Sequence, residues 1–121
     1  MQKYIIHAAF GWLTLSGVLH FIIDVAAQYV RGKRVPGAET TLYYGLNSAF
    51  ALGQVVFGVL GLYVAWRALD LISGMPALVL SAVAGAGWLA LAFFFMEYRE
   101  PRLAVGIYCL LIIAAIATST R

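Results

Sequence analysis

"LISGMPALVLSAVAGAGWLALAFFFM", Leu71 to Met96, contains no charged side chain. A helix of about 20 residues crosses the roughly 30 Å hydrocarbon core of a bilayer, and this run exceeds that length. Three further runs are nearly as apolar: Tyr4–Val30, charged only at Asp24, Thr41–Trp66, with no charge, and Pro101–Thr118, the shortest, charged only at Arg102. Membrane strands alternate polar and apolar residues over about 10 positions, and none of the four runs does so. Helices also satisfy their own backbone groups, which hydrocarbon demands. The runs predict an all-α integral membrane four-helix bundle, a single domain with helices at about 4–30, 41–67, 72–97 and 101–119. The short links between them predict antiparallel, up-down-up-down packing.

Composition points the same way. The chain has 121 residues, 64% hydrophobic and only 11% charged, with a mean hydropathy of +0.92. Soluble domains carry about 25% charged residues, so water is not the main solvent here. The links read as breaks. "RGKRVPGAETT" combines glycine, proline and charge. "SGMP" offers Ser73 as an N-cap with Pro76 in the first turn of the third helix, and "EYREP" starts the fourth helix at Pro101. Lys3 before an apolar run suggests a signal peptide, but the run is much longer than a 7–15-residue h-region, so it reads as a spanning helix. Arg31, Lys33, Arg34, Arg99 and Arg102 oppose Lys3, Arg67 and Arg121. This bias, narrowed by the terminal amine, places loops 31–40 and 97–100 in the cytoplasm.

Polar residues collect at one pole of such a bundle. "LHFIIDVAAQYVRGKR", Leu19–Arg34, sets His20, Asp24 and Gln28 four residues apart in an apolar segment, hence on one helical stripe. At 1.5 Å per residue, Asp24 lies roughly 9 Å and His20 roughly 15 Å inside the helix boundary near Val30. A carboxylate at such depth costs about 2.5–3.5 kcal/mol even on the lenient insertion scale, so it must face the bundle interior. There it can orient the His20 imidazole and raise its basicity, as carboxylate–histidine pairs do. Threading brings Tyr43, Tyr44, Asn47 and Gln54 of helix two to the same pole, with Glu97 and Arg99 from the end of helix three and Arg102 from the start of helix four. His20, Asp24 and Glu97 are the candidate acid–base groups. Gln28, Tyr43, Tyr44, Asn47, Gln54, Trp88, Arg99 and Arg102 are the candidate ligand contacts. A purely structural role stands beside each: interhelical hydrogen bonding for the polar side chains, topology and headgroup contacts for the arginines.

Small residues complete the pattern. Asn47, Ala51, Gln54, Gly58, Gly61 and Ala65 form one face of helix two, and Ala77, Ser81, Ala84, Gly85, Trp88 and Ala92 a similar face of helix three. Such faces allow close backbone approach in lipid, which predicts tight packing at the apolar pole and a pocket at the polar one. Other chemistries lack their residues. Cys109 is single, no His/Cys cluster has zinc spacing, and "GAGW" lacks the strand context of a phosphate loop. No metal site and no cofactor is expected. A net charge of +3 divided between both faces argues against nucleic acid.

The layout, four helices with buried acid–base residues near one face, resembles small membrane proteins of the sterol-isomerase type and the four-helix DoxX-like families. The likeness is one of layout over the whole chain and assigns no residue a role. The resulting expectation is a one-sided intramembrane pocket for a membrane lipid or lipophilic small molecule, served by an isomerase-like acid–base pair. Two alternatives stay open: a proton- or cation-coupled binding or transport protein working as a homo-oligomer, such as a homodimer, and a membrane subunit or assembly factor of a larger complex.

Overall fold

The computed structural model describes residues 1–119; Arg121, counted in the charge bias, lies outside them. Helix α1 runs Gln2–Arg31, with Ile22–Ala26 wound as a π turn. It ends where Gly32 turns left-handed (φ 60°, ψ 35°). Gly32 N–H then donates to the Tyr29 carbonyl and Lys33 N–H to that of Gln28, each at 3.2 Å. This pair of reversed bonds satisfies carbonyls that the helix end leaves free, and a glycine adopts the required φ without steric cost. Helices α2 (Ala38–Arg67), α3 (Leu69–Ile72), α4 (Met75–Phe95) and α5 (Glu100–Ser119) follow, and no described residue is in a strand.

The helix boundaries differ from the sequence reading at the third span. It begins at Met75, not 72, because Ala68 (φ −148°, ψ 64°) breaks the chain and α3 forms a separate single turn. Gly74, not Ser73, precedes α4, with no side-chain cap. Pro76 and Pro101 each occupy the second position of their helix, where no intrahelical N–H is lost. The span ends at Phe95, as Met96 is extended (φ −118°, ψ 129°). At 1.5 Å per residue, the 30, 30, 21 and 20 residues of α1, α2, α4 and α5 each reach about 30 Å or more. All four are long and apolar enough to cross a membrane, as in a multi-pass membrane protein.

Helix α1 packs against α2 and α5, and α5 also packs against α4. Glycines set how closely. A Cβ at Gly58 would lie 2.8 Å from the Thr14 backbone nitrogen and 3.0 Å from the Phe10 carbonyl, and one at Gly61 would enter the Phe10 ring. Phe10 thus fills a notch that Gly58 and Gly61 leave in α2. Between α4 and α5, Gly85 makes room for Tyr108, whose buried hydroxyl donates to the Ser81 carbonyl at 3.1 Å. Phe10, Tyr108, Ile6, Leu13, Leu78 and Ile112 form a fully buried core. The outward faces carry Leu52, Leu60, Leu80, Val83, Leu110 and Ile113, all at least half exposed. An apolar surface this continuous matches lipid rather than water.

Candidate functional site

Both ring nitrogens of His20 are engaged. Nδ1 lies 2.9 Å from Asp24 Oδ2, and Nε2 lies 2.9 Å from Asn47 Oδ1. The side chains are 7% and 15% exposed for His20 and Asp24, and Asn47 is buried. The Asn47 amide is oriented by its nitrogen, which donates to the Tyr43 carbonyl one turn earlier at 2.9 Å. Its oxygen therefore faces the imidazole and also accepts from the Tyr98 hydroxyl at 3.2 Å. These partners assign the hydrogens. Nε2 carries one, and a hydrogen between Nδ1 and Oδ2 completes the second bond.

Asp24 sits inside the π turn Ile22–Ala26. Such turns insert a residue into the helical ladder and occur frequently at functional sites. Tyr43 supports the turn by donating from its hydroxyl to the Asp24 carbonyl at 3.1 Å. The same hydroxyl accepts from Gln28 Nε2 at 3.1 Å. Arg34 donates to Gln28 Oε1 at 3.2 Å and lies over the Tyr43 ring at 3.4 Å, a cation–π contact that fixes the end of α1 on α2.

A cavity of about 410 Å³ lies against this network. His20, Asp24, Trp12 and Ser16 of α1, Gln54 and Phe50 of α2, Tyr98, and Glu100 of α5 contribute to its wall. The structure thus brings three of the eleven sequence-derived candidates, His20, Asp24 and Gln54, to one cavity, with Asn47 joined to it through His20. Glu97 is placed elsewhere. It is exposed and lines a second hollow of about 450 Å³ with Arg34, Tyr43, Asn47 and Tyr98, because the chain turns at Met96 and directs Tyr98, two residues further on, inward. Gln28 and Tyr43 buttress the π turn, and Tyr44 meets Tyr29 and Tyr43 edge to face. Trp88 packs between Phe57 and Tyr108. Arg99 is exposed. Arg102 caps α4, donating to the carbonyls of Ala92, Phe93 and Met96, a place where positive charge meets the negative end of the helix dipole.

Tyr98, which the sequence sets at the polar pole between Glu97 and Arg99, is a site residue absent from the candidates named from sequence. It lies between α4 and α5, and burial, then the nearby Tyr43 hydroxyl and the Asp24 charge, push its phenol well above the ordinary tyrosine range. The phenol remains a donor to Asn47 throughout the physiological range. Trp12 also belongs to the cavity wall. Its indole N–H donates to the Ala104 carbonyl at 2.7 Å, tying α1 to α5 beside the cavity. Among the described residues, no three His, Cys, Asp or Glu side chains group so as to hold a metal ion. No protein-family model, curated protein or solved structure matches the chain.

Proposed function

We propose that the protein is an integral membrane protein, with α1, α2, α4 and α5 crossing alternately up and down, that binds a lipophilic small molecule beside an acid–base pair. The observation that carries this reading is the position of His20–Asp24 on the wall of a cavity otherwise lined mainly by Trp12, Leu15, Leu19, Ile23 and Phe50. A pocket that is apolar with a few convergent polar groups is the usual form of a small-molecule site. An ionisable pair at membrane depth is costly enough to need a use. The pair suits proton transfer to or from a bound molecule, as in an isomerase-like step, because general acid–base catalysis needs a positioned imidazole or carboxylate within reach of the substrate. The short links at 32–37 and 96–99 support the alternating path, and the excess of Arg31, Lys33, Arg34, Arg99 and Arg102 supports a cytoplasmic position for both.

The test is to purify the protein in detergent, extract it with organic solvent and identify the extract by mass spectrometry. The cavity-filling double variant Ser16→Phe/Ala104→Phe serves as control. A lipophilic species retained at about one per chain and missing from the filled variant is the expected result. Equal extracts from the two proteins would refute the reading.

A further inference from the structure

A buried polar group on the cavity wall takes no part in the His20 network. Gln54 is 1% exposed and lines the cavity. Among the described residues, its Nε2 is the buried side-chain nitrogen or oxygen left without a hydrogen-bond partner. Buried donors with no acceptor are rare in folded proteins, since each forfeits its hydrogen bond to water. The stem of the side chain is held in place. Gly17 brings α1 so near that a Cβ there would fall 3.0 Å from Gln54 Cβ. The terminal amide keeps its freedom, because that torsion is broad and roughly two-fold, and a half-turn exchanges nitrogen with oxygen.

No acceptor among the described residues lies within hydrogen-bonding distance of this nitrogen. An amide oxygen left in the wall is better tolerated than an amide nitrogen, so the favoured arrangement turns the NH₂ group to the cavity and requires an acceptor there. Resting on the reading of this cavity as a lipophilic-ligand site, we infer that its ligand carries a carbonyl oxygen, which accepts a hydrogen bond from Gln54 Nε2. A carbonyl only accepts, which fits a spare donor. An alcohol also accepts but brings a proton, which Asp24 or Glu100 on the same wall would have to take.

The test uses 2-undecanone, 2-undecanol and undecane, each carrying a terminal diazirine, photolysed with the detergent-solubilised full chain. Labelled residues are then mapped by mass spectrometry. The ketone should label cavity residues such as Leu15, Ile23 and Ala104 about tenfold more than the alkane, the effect of one hydrogen bond of ordinary net strength. It should also exceed the alcohol, and Gln54→Leu should remove the preference. A ¹³C=O-labelled ketone bound to the unaltered protein should show a carbonyl stretch at lower wavenumber than in empty micelles, a readout that needs no variant. Equal labelling by ketone and alkane, labelling by the alcohol that matches the ketone, a preference that survives Gln54→Leu, or an unshifted stretch would each overturn the inference while leaving the cavity reading intact. Labelling of no cavity residue by any probe would overturn both.

Discussion

Replacing Asp24 separates its part in the fold from its part in the site. In Asp24→Asn the side chain keeps its volume, and its amide can donate to a bare His20 Nδ1 across the 2.9 Å that the carboxylate now spans. His20 Nε2–H continues to donate to Asn47. Both hydrogen bonds survive with a neutral imidazole. The charged bond becomes an ordinary one, a loss of about 1 kcal/mol, while the burial cost of a carboxylate, about 2.5–3.5 kcal/mol on the insertion scale, disappears. Asp24→Asn should therefore be as stable as the parent or more so. Asp24→Leu also removes the carboxylate but leaves Nδ1 of a 7%-exposed side chain without a partner, at about 1–3 kcal/mol. The difference between the two variants isolates that partner. Reversible unfolding in mixed micelles should rank Asp24→Asn above Asp24→Leu by about 1–3 kcal/mol. Ligand retention, measured on the same preparations, should be lost in both, because the charged carboxylate on the cavity wall is gone. Equal stability of the two variants would refute the hydrogen-bonded geometry of His20. Unchanged ligand retention in Asp24→Asn would return the pair to a structural role.

Three further outcomes follow from the packing and the loop. Gly58→Ala should destabilise the protein by about 1–3 kcal/mol, since its Cβ meets backbone atoms of α1 that cannot yield; Gly87→Ala, with nothing within 4 Å, should be neutral or stabilising by up to about 1 kcal/mol, as read by the same unfolding assay. Arg102→Met should expose the end of α4, seen as faster hydrogen exchange over residues 93–99 and a loss of about 1–3 kcal/mol for bonds to a charged donor. The raised Tyr98 phenol means that the folded state holds its proton longer than the unfolded state, whose phenol titrates near the ordinary 10.0. Stability is thus fully present below that pH and falls above it. Tyr98→Phe should flatten the alkaline fall and leave the phenolate absorbance that appears near pH 10 unchanged, whereas a reduced absorbance there would show that Tyr98 titrates freely.

Several parts of the site were legible because they depend on short-range periodicity. The four-residue spacing of His20 and Asp24 places them on one stripe of any helix, and Asp24 meets Nδ1 even within the π turn. The face of helix two read as Asn47, Ala51, Gln54, Gly58, Gly61 and Ala65 is buried in full, joined by Phe50. The corresponding face of the third span is buried at Ser81, Gly85 and Ala92, while Trp88 is half-buried and away from the cavity. Glu97 shows where this logic stops. Helical periodicity no longer applies once α4 ends at Phe95, and the side chain that enters the site from this link is Tyr98.

Hydrophobicity is a local property summed along the chain, so the number of helices long and apolar enough to span a membrane, their approximate limits and the shared stripe of His20 and Asp24 on α1 were decided by sequence alone. So was the need for close approach at Gly58 and Gly61. The pairing of each polar atom was decided only in three dimensions. Whether Asn47 or Gln54 would meet His20 depends on the axial offset between α1 and α2, which the packing of Phe10 against Gly61 and of Thr14 against Gly58 sets to a fraction of a residue. That offset joins Asn47 to His20 and leaves the Gln54 amide unpaired against the cavity. Nothing in the order of residues contains a distance between two helices, and the chemistry of this site rests on that distance.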